Sequence, residues 1–276
     1  MKLTLGFSPC PNDTFIFEAM ANHRIDTEGL EFNYLTADAE ELNKMAKEGK
    51  LDITKISCAA YPYVANNYLI LDSGSALGSR NGPLLISKHG IDKDRLPELK
   101  IAIPGKYTTA NLLFTMAFPN ARNKVEYLFS DIEDAVLSEE VDIGLLIHES
   151  RFTYQQKGLL LMEDMGEFWE DKTGLPLPLG VIGVNRRLPN DVALKVNRIV
   201  NRSLEGAYTD VTPTYFFVRK YARALEAEAI SSHIKLFVND FSLDLGAEGK
   251  AAIRKLLSLG YECGFLPPLP DRVFLT

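Results

Sequence analysis

A two-lobed α/β fold is predicted by three features of the 276-residue sequence. Short β-rich runs alternate with helical patterns in two successive series, as expected of strands joined by crossover helices. A glycine-rich break at 73–82 and a proline-rich stretch at 174–185 mark off the two series. Beyond residue 190 the patterns are almost entirely helical, which fits a return of the chain to the first lobe.

In the first series, strands are expected at 3–7, 30–35, 53–56 and 69–71, with helices at 14–21 and 38–48. Leu42, Met45 and Ala46 lie at helical spacing in the second helix, and Gly49 supplies its stop. After the glycine-rich break, 83–87 reads as an extended crossing. The second series opens with a strand at 100–103 and a helix at 109–118. It continues with a strand at 124–128, a helix opened by Ser130 or Asp131, and a strand at 141–147. The prolines of GLPLPLGVIGVN at 174–185 disfavour helix and fit a second extended crossing. Helices follow at 192–207, 214–225, 229–238 and 247–259, and the sheets are expected to be largely parallel.

Residues 1–85 and 182–276 would then build lobe I, and 86–181 lobe II. This is the type 2 topology of a periplasmic-binding-protein-like fold, with an active site expected in the interlobe cleft. A single doubly wound domain is the competing arrangement.

Composition narrows the partners. The hydrophobic fraction of 46% supports a substantial core, and a charged fraction of 24% with dispersed apolar residues excludes wholesale disorder. The net charge of -7 argues against nucleic acid, because no excess of Lys and Arg exists to neutralise phosphates. No run approaches the roughly 20 apolar residues of a membrane span. The three cysteines, Cys10, Cys58 and Cys263, lack metal-site or Cys-x-x-Cys spacing and suit a reducing compartment. With the short, soon-interrupted apolar stretch of MKLTLGFSPCPND, which does not read as a signal peptide, they give a cytoplasmic expectation. A small molecule is the expected partner; the sequence does not specify oligomeric state.

In sheets of this kind, ligands lie beyond the C-terminal ends of strands, where helix N-termini present free N–H groups. Three junctions qualify. At Ser8-Pro9-Cys10-Pro11-Asn12-Asp13-Thr14 two prolines stiffen the turn, and Asn12 or Asp13 can cap the next helix; an ordinary capped loop explains both. At Thr54-Lys55-Ile56-Ser57-Cys58, Ser57 can cap a helix or present its hydroxyl to a ligand. Lys55 can offer an ammonium to a carboxylate or stand as a solvated strand-end lysine. At Pro104-Gly105-Lys106-Tyr107-Thr108-Thr109-Ala110-Asn111, Gly105 permits a tight turn and two threonines precede a helix. That pattern suits an anion cradle, although capping also explains a threonine there. The full P-loop pattern is missing, so a carboxylate fits better than a triphosphate.

Among four histidines, His23 reads as a helix-terminal residue, His89 as a turn residue and His233 as a surface or packing residue. His148 directly follows the apolar run 141–147, at the expected cleft edge. An imidazole titrates near about 6.5 in water and can accept a proton near neutrality. Glu149 could orient it, though neighbours on a continuing strand face opposite ways. A strand-end histidine without a catalytic role is the plainer explanation of its position alone. The histidine and cysteine spacings do not support a metal site, and no Gly-x-Ser-x-Gly elbow or dinucleotide fingerprint occurs. Trp169, Phe168 and Tyr154 could line a pocket but are better read as core.

Several of these segments, taken in order, resemble the 1,4-dihydroxy-6-naphthoate synthases. They are Ser8-Pro9-Cys10-Pro11-Asn12-Asp13-Thr14-Phe15, Lys55-Ile56-Ser57, Thr109-Ala110, Ile147-His148-Glu149 and Gly174-Leu175-Pro176-Leu177-Pro178-Leu179-Gly180. The matches run from residue 8 to 180, and the first string is the most specific. The resemblance implies an active site between two lobes of a periplasmic-binding-protein-like fold. It also implies conversion of cyclic dehypoxanthinyl futalosine to 1,4-dihydroxy-6-naphthoate with release of dihydroxyacetone, in the futalosine route to menaquinone. Lys55, Ile56, Ser57, Thr109 and Ala110 match substrate-binding positions, and His148 matches the proton acceptor. No cofactor or metal is implied. The alternatives are the chorismate dehydratase of the same pathway and a cytosolic protein that binds small carboxylates.

Overall fold

The computed structural model describes residues 1–79, 81–222 and 227–276, without the side chains of residues 149 and 150. The chain forms two compact units: Met1–Gly78 with Pro178–Thr276, and Ser79–Leu177. The first unit opens with β1 (Lys2–Phe7), α1 (Pro11–Ala21), β2 (Glu31–Thr36), α2 (Ala39–Lys47) and β3 (Ile53–Ser57). It continues through α3 (Tyr61–Val64), β4 (Tyr68–Ile70) and β5 (Ala76–Gly78). The second unit holds β6 (Leu84–Ser87), β7 (Ile101–Ile103), α4 (Thr109–Ala117), β8 (Lys124–Glu126) and α5 (Ile132–Leu137). After these come β9 (Ile143–Leu146), β10 (Leu160–Asp164) and α6 (Met165–Thr173). The chain re-enters the first unit along β11 (Leu177–Asn185). It closes with α7 (Asn190–Thr209), α8 (Val211–Tyr221), α9 (Ala227–Phe237), α10 (Asp240–Leu243) and α11 (Gly246–Glu262).

Each unit has its own sheet. In the first the order is β2-β1-β3-β11-β4, with β5 paired to β11; in the second it is β10-β6-β9-β7-β8. β1 runs parallel to β2 and β3, and β7 runs parallel to β8 and β9. β11 is antiparallel to β3 and β4, and β6 is antiparallel to β9 and β10. The sheets are therefore mixed, not largely parallel. The difference arises at the two extended segments expected at 83–87 and 174–185. Each becomes a full strand that the chain enters from the other unit, not through a crossover helix from a strand of its own sheet, so nothing imposes the parallel sense.

The sequence pattern explains most elements. Leu3, Leu5 and Phe7 are buried at alternate positions of β1. Every residue of α1 is buried, so this helix runs through the interior and shows no polar face. Asp38 caps α2 by accepting from the Glu40 and Glu41 N–H groups, and Gly49, at φ 66°, ends it as expected. The core of the first unit joins β1 and β3 to α1, α7, α8 and α9 through residues such as Leu5, Phe17, Ile53, Val200 and Phe217. Ile86, Ala102, Ile132 and Leu146 anchor the smaller core of the second.

Four elements escape the sequence pattern: β5, β10, α6 and α10. β10 is an edge strand whose Leu160 and Leu161 are both exposed, so no apolar alternation marks it. The helix after it does carry signals: Asp164 accepts from the Gly166 N–H as its cap, and Gly174, at φ 66°, stops it. Arg80, in the expected break, and 223–225, at the end of an expected helix, lie outside the described residues. Among the described residues no helix is long and apolar enough to cross a membrane.

Asp52 ties β1 and β3 to the end of β11. Its Oδ2 accepts from the Thr4 N–H at 2.8 Å and the Thr4 hydroxyl at 2.9 Å, and its Oδ1 accepts from Arg187 at 2.7 Å. Burial pushes this carboxyl up, but the Thr4 and Arg187 donors outweigh burial and hold it below the usual carboxylate range. A depressed folded-state value stabilises the fold above the unfolded value of about 3.9, and that contribution is lost as pH falls through the depressed value. Asp52→Asn is therefore expected to cost about 1.5–3 kcal/mol in urea unfolding near neutrality. The difference from wild type should shrink as the pH is lowered toward about 3; a constant difference across that range contradicts this account.

Candidate functional site

In the first unit, β1 and β3 are parallel neighbours, so their C-terminal ends emerge side by side. The turn after β1 does not behave as a simple cap. Cys10 is the N-cap of α1 and makes no side-chain cap bond, and Pro11 begins the helix. Helix therefore starts three residues earlier than expected, and Asn12 and Asp13 lie inside its first turn with their side chains free of capping duty. Asp13 instead turns back on the preceding turn: its Oδ2 accepts from the Ser8 hydroxyl at 2.7 Å and the Ser8 N–H at 3.1 Å. Its Oδ1 accepts from Asn12 Nδ2 at 2.9 Å and lies 2.8 Å from Lys55 Nζ.

Lys55 is thus a buried, ion-paired lysine, not a solvated one. Its stem needs space that the opposite strand provides. A Cβ on Gly180 of β11 would lie 2.9 Å from Lys55 Cε, so any larger residue there displaces the side chain. Ile56 is buried, and its Cδ1 occupies the space a Cβ on Gly183 would take, 2.4 Å from that position. Ile56 therefore packs into the unit with its side chain, leaving its backbone at the strand end.

Ser57 is held from outside its own strand. The Asn43 amide, fully buried on α2, accepts from the Ser57 N–H at 2.9 Å and donates to Ser57 Oγ at 3.0 Å. This reciprocal pair consumes the Ser57 N–H and orients the hydroxyl oxygen, so the hydroxyl proton is the group Ser57 can offer a ligand. Asn43 is absent from the motifs visible in sequence; its only cue is a polar residue on the apolar stripe of an amphipathic helix. The neighbouring Cys58 is no nucleophile near neutrality. Burial pushes its thiol up to about 12, against the lowering effect of Lys55.

In the second unit, the parallel strands β8, β7 and β9 bring three loops to one sheet edge. Between β7 and α4, Thr108 caps the helix: its hydroxyl accepts from the Asn111 N–H at 3.2 Å and donates to the Gly105 carbonyl at 2.8 Å. Capping therefore does not account for Thr109. Both Thr109 and Ala110 are buried and occupy the first two helical positions, where backbone N–H groups have no intrahelical acceptor.

His148 stands one residue beyond Ile147 at the end of β9 and starts a 3-10 turn. Its φ is 61°, a left-handed conformation that costs a non-glycine residue roughly 1–2 kcal/mol. Among the described residues, His23 and Glu139 share this conformation just past helix ends and Glu28 in the turn before β2; His148 adopts it at a strand end. The imidazole is half-buried and meets the Phe129 ring edge-on, with centroids 4.8 Å apart. Arg151 holds the same turn down by donating to the Gly82 carbonyl at 2.6 Å and to Asp164 at 3.2 Å. The Glu149 side chain lies outside the described residues.

The expected residues thus fall into two sets. Lys55, Ile56 and Ser57 share one strand end in the first unit; Thr109, Ala110 and His148 share one sheet edge in the second. Trp169 and Tyr154 are core residues, as expected, and Trp169 donates to the Pro176 carbonyl. His233 is a buried packing residue that also reaches Asn12, 3.0 Å from its Oδ1. Among the described residues no three His, Cys, Asp or Glu side chains gather as a metal set.

Comparison with known proteins identifies the family and the fold. A profile of the menaquinone biosynthesis family matches residues 3–262. The chain is 40% identical to a 1,4-dihydroxy-6-naphthoate synthase of Thermus thermophilus, with 99% of each chain covered. It is 39% identical to the Streptomyces coelicolor protein of the same name, covering 98% of this chain and 96% of the other. A Candida albicans protein described as having the generic periplasmic binding protein fold superposes with a TM-score of 0.71 at 14% identity, over 99% of this chain and 93% of its own. That likeness shows the fold, which is periplasmic-binding-protein-like.

The Asn43–Ser57 pair can be tested through stability. Asn43→Ala leaves the Ser57 N–H without its acceptor and is expected to cost about 1–3 kcal/mol in urea unfolding. Asn43→Asp keeps that acceptor and should recover part of the loss. Equal destabilisation by the two variants would count against this pairing.

Proposed function

The chain belongs to the menaquinone biosynthesis family, and from that membership we propose that it converts cyclic dehypoxanthinyl futalosine to 1,4-dihydroxy-6-naphthoate, releasing dihydroxyacetone. On this reading it is a carbon–carbon lyase of the futalosine route, acting in the cytoplasm. The three cysteines, none of them in a disulfide, fit a reducing compartment.

His148 carries the proposal. In an extended strand successive side chains face opposite ways, so His148 would share the face of Leu146 and point away from Ile147 and Glu149. The left-handed turn breaks that alternation and sets the imidazole by local conformation, against the Phe129 ring in the loop after β8. We assign it as the general base. It takes a proton from a substrate hydroxyl, and the electrons of that O–H bond form a carbonyl as the neighbouring C–C bond breaks. The three-carbon fragment leaves with the released electron pair and a proton, and the remaining bicycle tautomerises to the aromatic product. No electrons are gained or lost overall, so a base and a shaped site suffice and no organic cofactor is required.

Binding falls to the other residues. Lys55 and the Ser57 hydroxyl supply donors from one unit; Thr109 and the Ala110 N–H supply them from the other. We assign the carboxylate of the substrate to these donors, which would hold the reacting hydroxyl within hydrogen-bond reach of the base.

Purified protein incubated with cyclic dehypoxanthinyl futalosine should yield 1,4-dihydroxy-6-naphthoate. No product means the reading fails, and turnover of chorismate would select chorismate dehydratase instead. Asparagine tolerates the left-handed conformation, so His148→Asn should fold normally while kcat falls about 10²–10⁴-fold. A kcat near wild type removes His148 as the base. Thr109→Val preserves shape but loses the hydroxyl, and should raise KM about tenfold; an unchanged KM ends the assignment of Thr109.

A further inference from the structure

No motif in the C-terminal helices points to chemistry, yet α9 sends one side chain to the Lys55 site. His233 is 1% exposed, with its Nε2 3.0 Å from Asn12 Oδ1. The direction of every hydrogen bond in this cluster is fixed by what each group can donate. Asp13 Oδ1 can only accept, so the Asn12 group 2.9 Å from it must be the NH2. Asn12 Oδ1 then faces His233, and Nε2 must carry a hydrogen. Reversing the amide would set its oxygen against a carboxylate oxygen and destroy both contacts.

The chain of contacts continues to Lys55. Asp13 Oδ1 meets both Asn12 Nδ2 and Lys55 Nζ, while Oδ2 takes the Ser8 hydroxyl and N–H. With hydrogen bonds on both oxygens and the ion pair on Oδ1, the carboxylate cannot rotate without losing a contact. The Lys55 ammonium is held to Oδ1 by charge at 2.8 Å, so fixing the carboxylate fixes the place of Nζ. All of the groups from His233 to Lys55 are buried, where water cannot replace a broken link. The His233 ring is itself held against Phe237, with centroids 4.6 Å apart.

We propose that His233 is a positioning residue for substrate binding: acting through Asn12 and Asp13, it fixes Lys55 Nζ where the substrate carboxylate is held. This rests on the assignment of Lys55 as a substrate contact made above. It gives α9, and with it the C-terminal helical segment, a part in recognition as well as in packing.

The test compares His233→Leu, which fills the space without a donor, with His233→Gln, which restores an N–H at similar reach. His233→Leu should raise KM for cyclic dehypoxanthinyl futalosine about tenfold with kcat nearly unchanged, and His233→Gln should return KM to within about threefold of wild type. A purely structural histidine would instead lower the melting temperature and leave KM alone, which overturns the proposal. So does a loss confined to kcat. Two measurements need no substrate. In the wild-type protein, 15N spectra of histidine should show His233 protonated at Nε2; a form protonated only at Nδ1 cannot donate to Asn12 and overturns the proposal even if His233→Leu does not fold. In lysine-labelled protein, the Lys55 ammonium signal, assigned by its loss in Lys55→Arg, should shift or broaden in His233→Leu and recover in His233→Gln. An unmoved signal sinks the relay. If wild-type protein fails to turn over the substrate while that signal responds, the proposed reaction has failed and the relay stands.

Discussion

The Asp13 carboxylate is almost completely buried at the start of a helix that has no solvent face. An ionised carboxylate there is tolerable only if its oxygens are saturated with donors and a cation stands close by. That requirement organises the first unit around it. The prolines at 9 and 11 stiffen the turn so that Ser8 folds back within reach, and the parallel pairing of β1 with β3 brings Lys55 alongside. Gly180 on the opposite strand leaves the lysine stem its space. From the other side, α9 must pack closely enough on α1 for His233 to meet Asn12. A single buried charge thus links two strands, two helices and a crossing segment that are far apart in sequence.

The second unit answers a different constraint. Its candidate base is an imidazole in a strained backbone, and the strain persists because the surroundings fix both ends of the turn. Behind it the apolar strand β9 is fully buried; ahead of it Arg151 bridges Gly82 and Asp164. Asp164 itself is pushed up by burial, which the Gly166 N–H and Arg151 only partly offset, so Arg151 is a needed partner for that carboxyl. The same guanidinium therefore serves the edge strand β10 and the histidine turn. Placing a reactive side chain by locking the backbone beneath it is a common use of local strain.

Much of the fold was legible because it rests on local patterns. The β1 alternation, the Asp38 cap and the Gly49 stop are read from neighbouring residues and appear where expected. Strand sense was not legible, since the direction in which β6 and β11 enter their sheets depends on partners dozens of residues away. The sites divide the same way. Lys55, Ser57, Thr109 and His148 stood out because they sit at strand-to-helix junctions. Asn43 and His233 did not, because a buried polar residue on a helix looks the same in sequence whether it satisfies a local carbonyl or reaches across the core. Asn12 and Asp13 were read only as possible caps, but the proline at position 11 starts the helix early and moves the cap to Cys10.

The fold is shared with proteins described as binding proteins, so its presence alone does not distinguish capture from catalysis. The distinction has to come from the site. A receptor for a small carboxylate needs donors, and Ser57, Lys55 and the start of α4 would meet that need without His148. It gains nothing from a histidine whose backbone costs about 1–2 kcal/mol to hold. A base gains from that cost, because proton transfer depends on the direction of a ring nitrogen as much as on its proximity. On this argument the donors supply binding, and the one strained residue among them is where the chemistry should be sought.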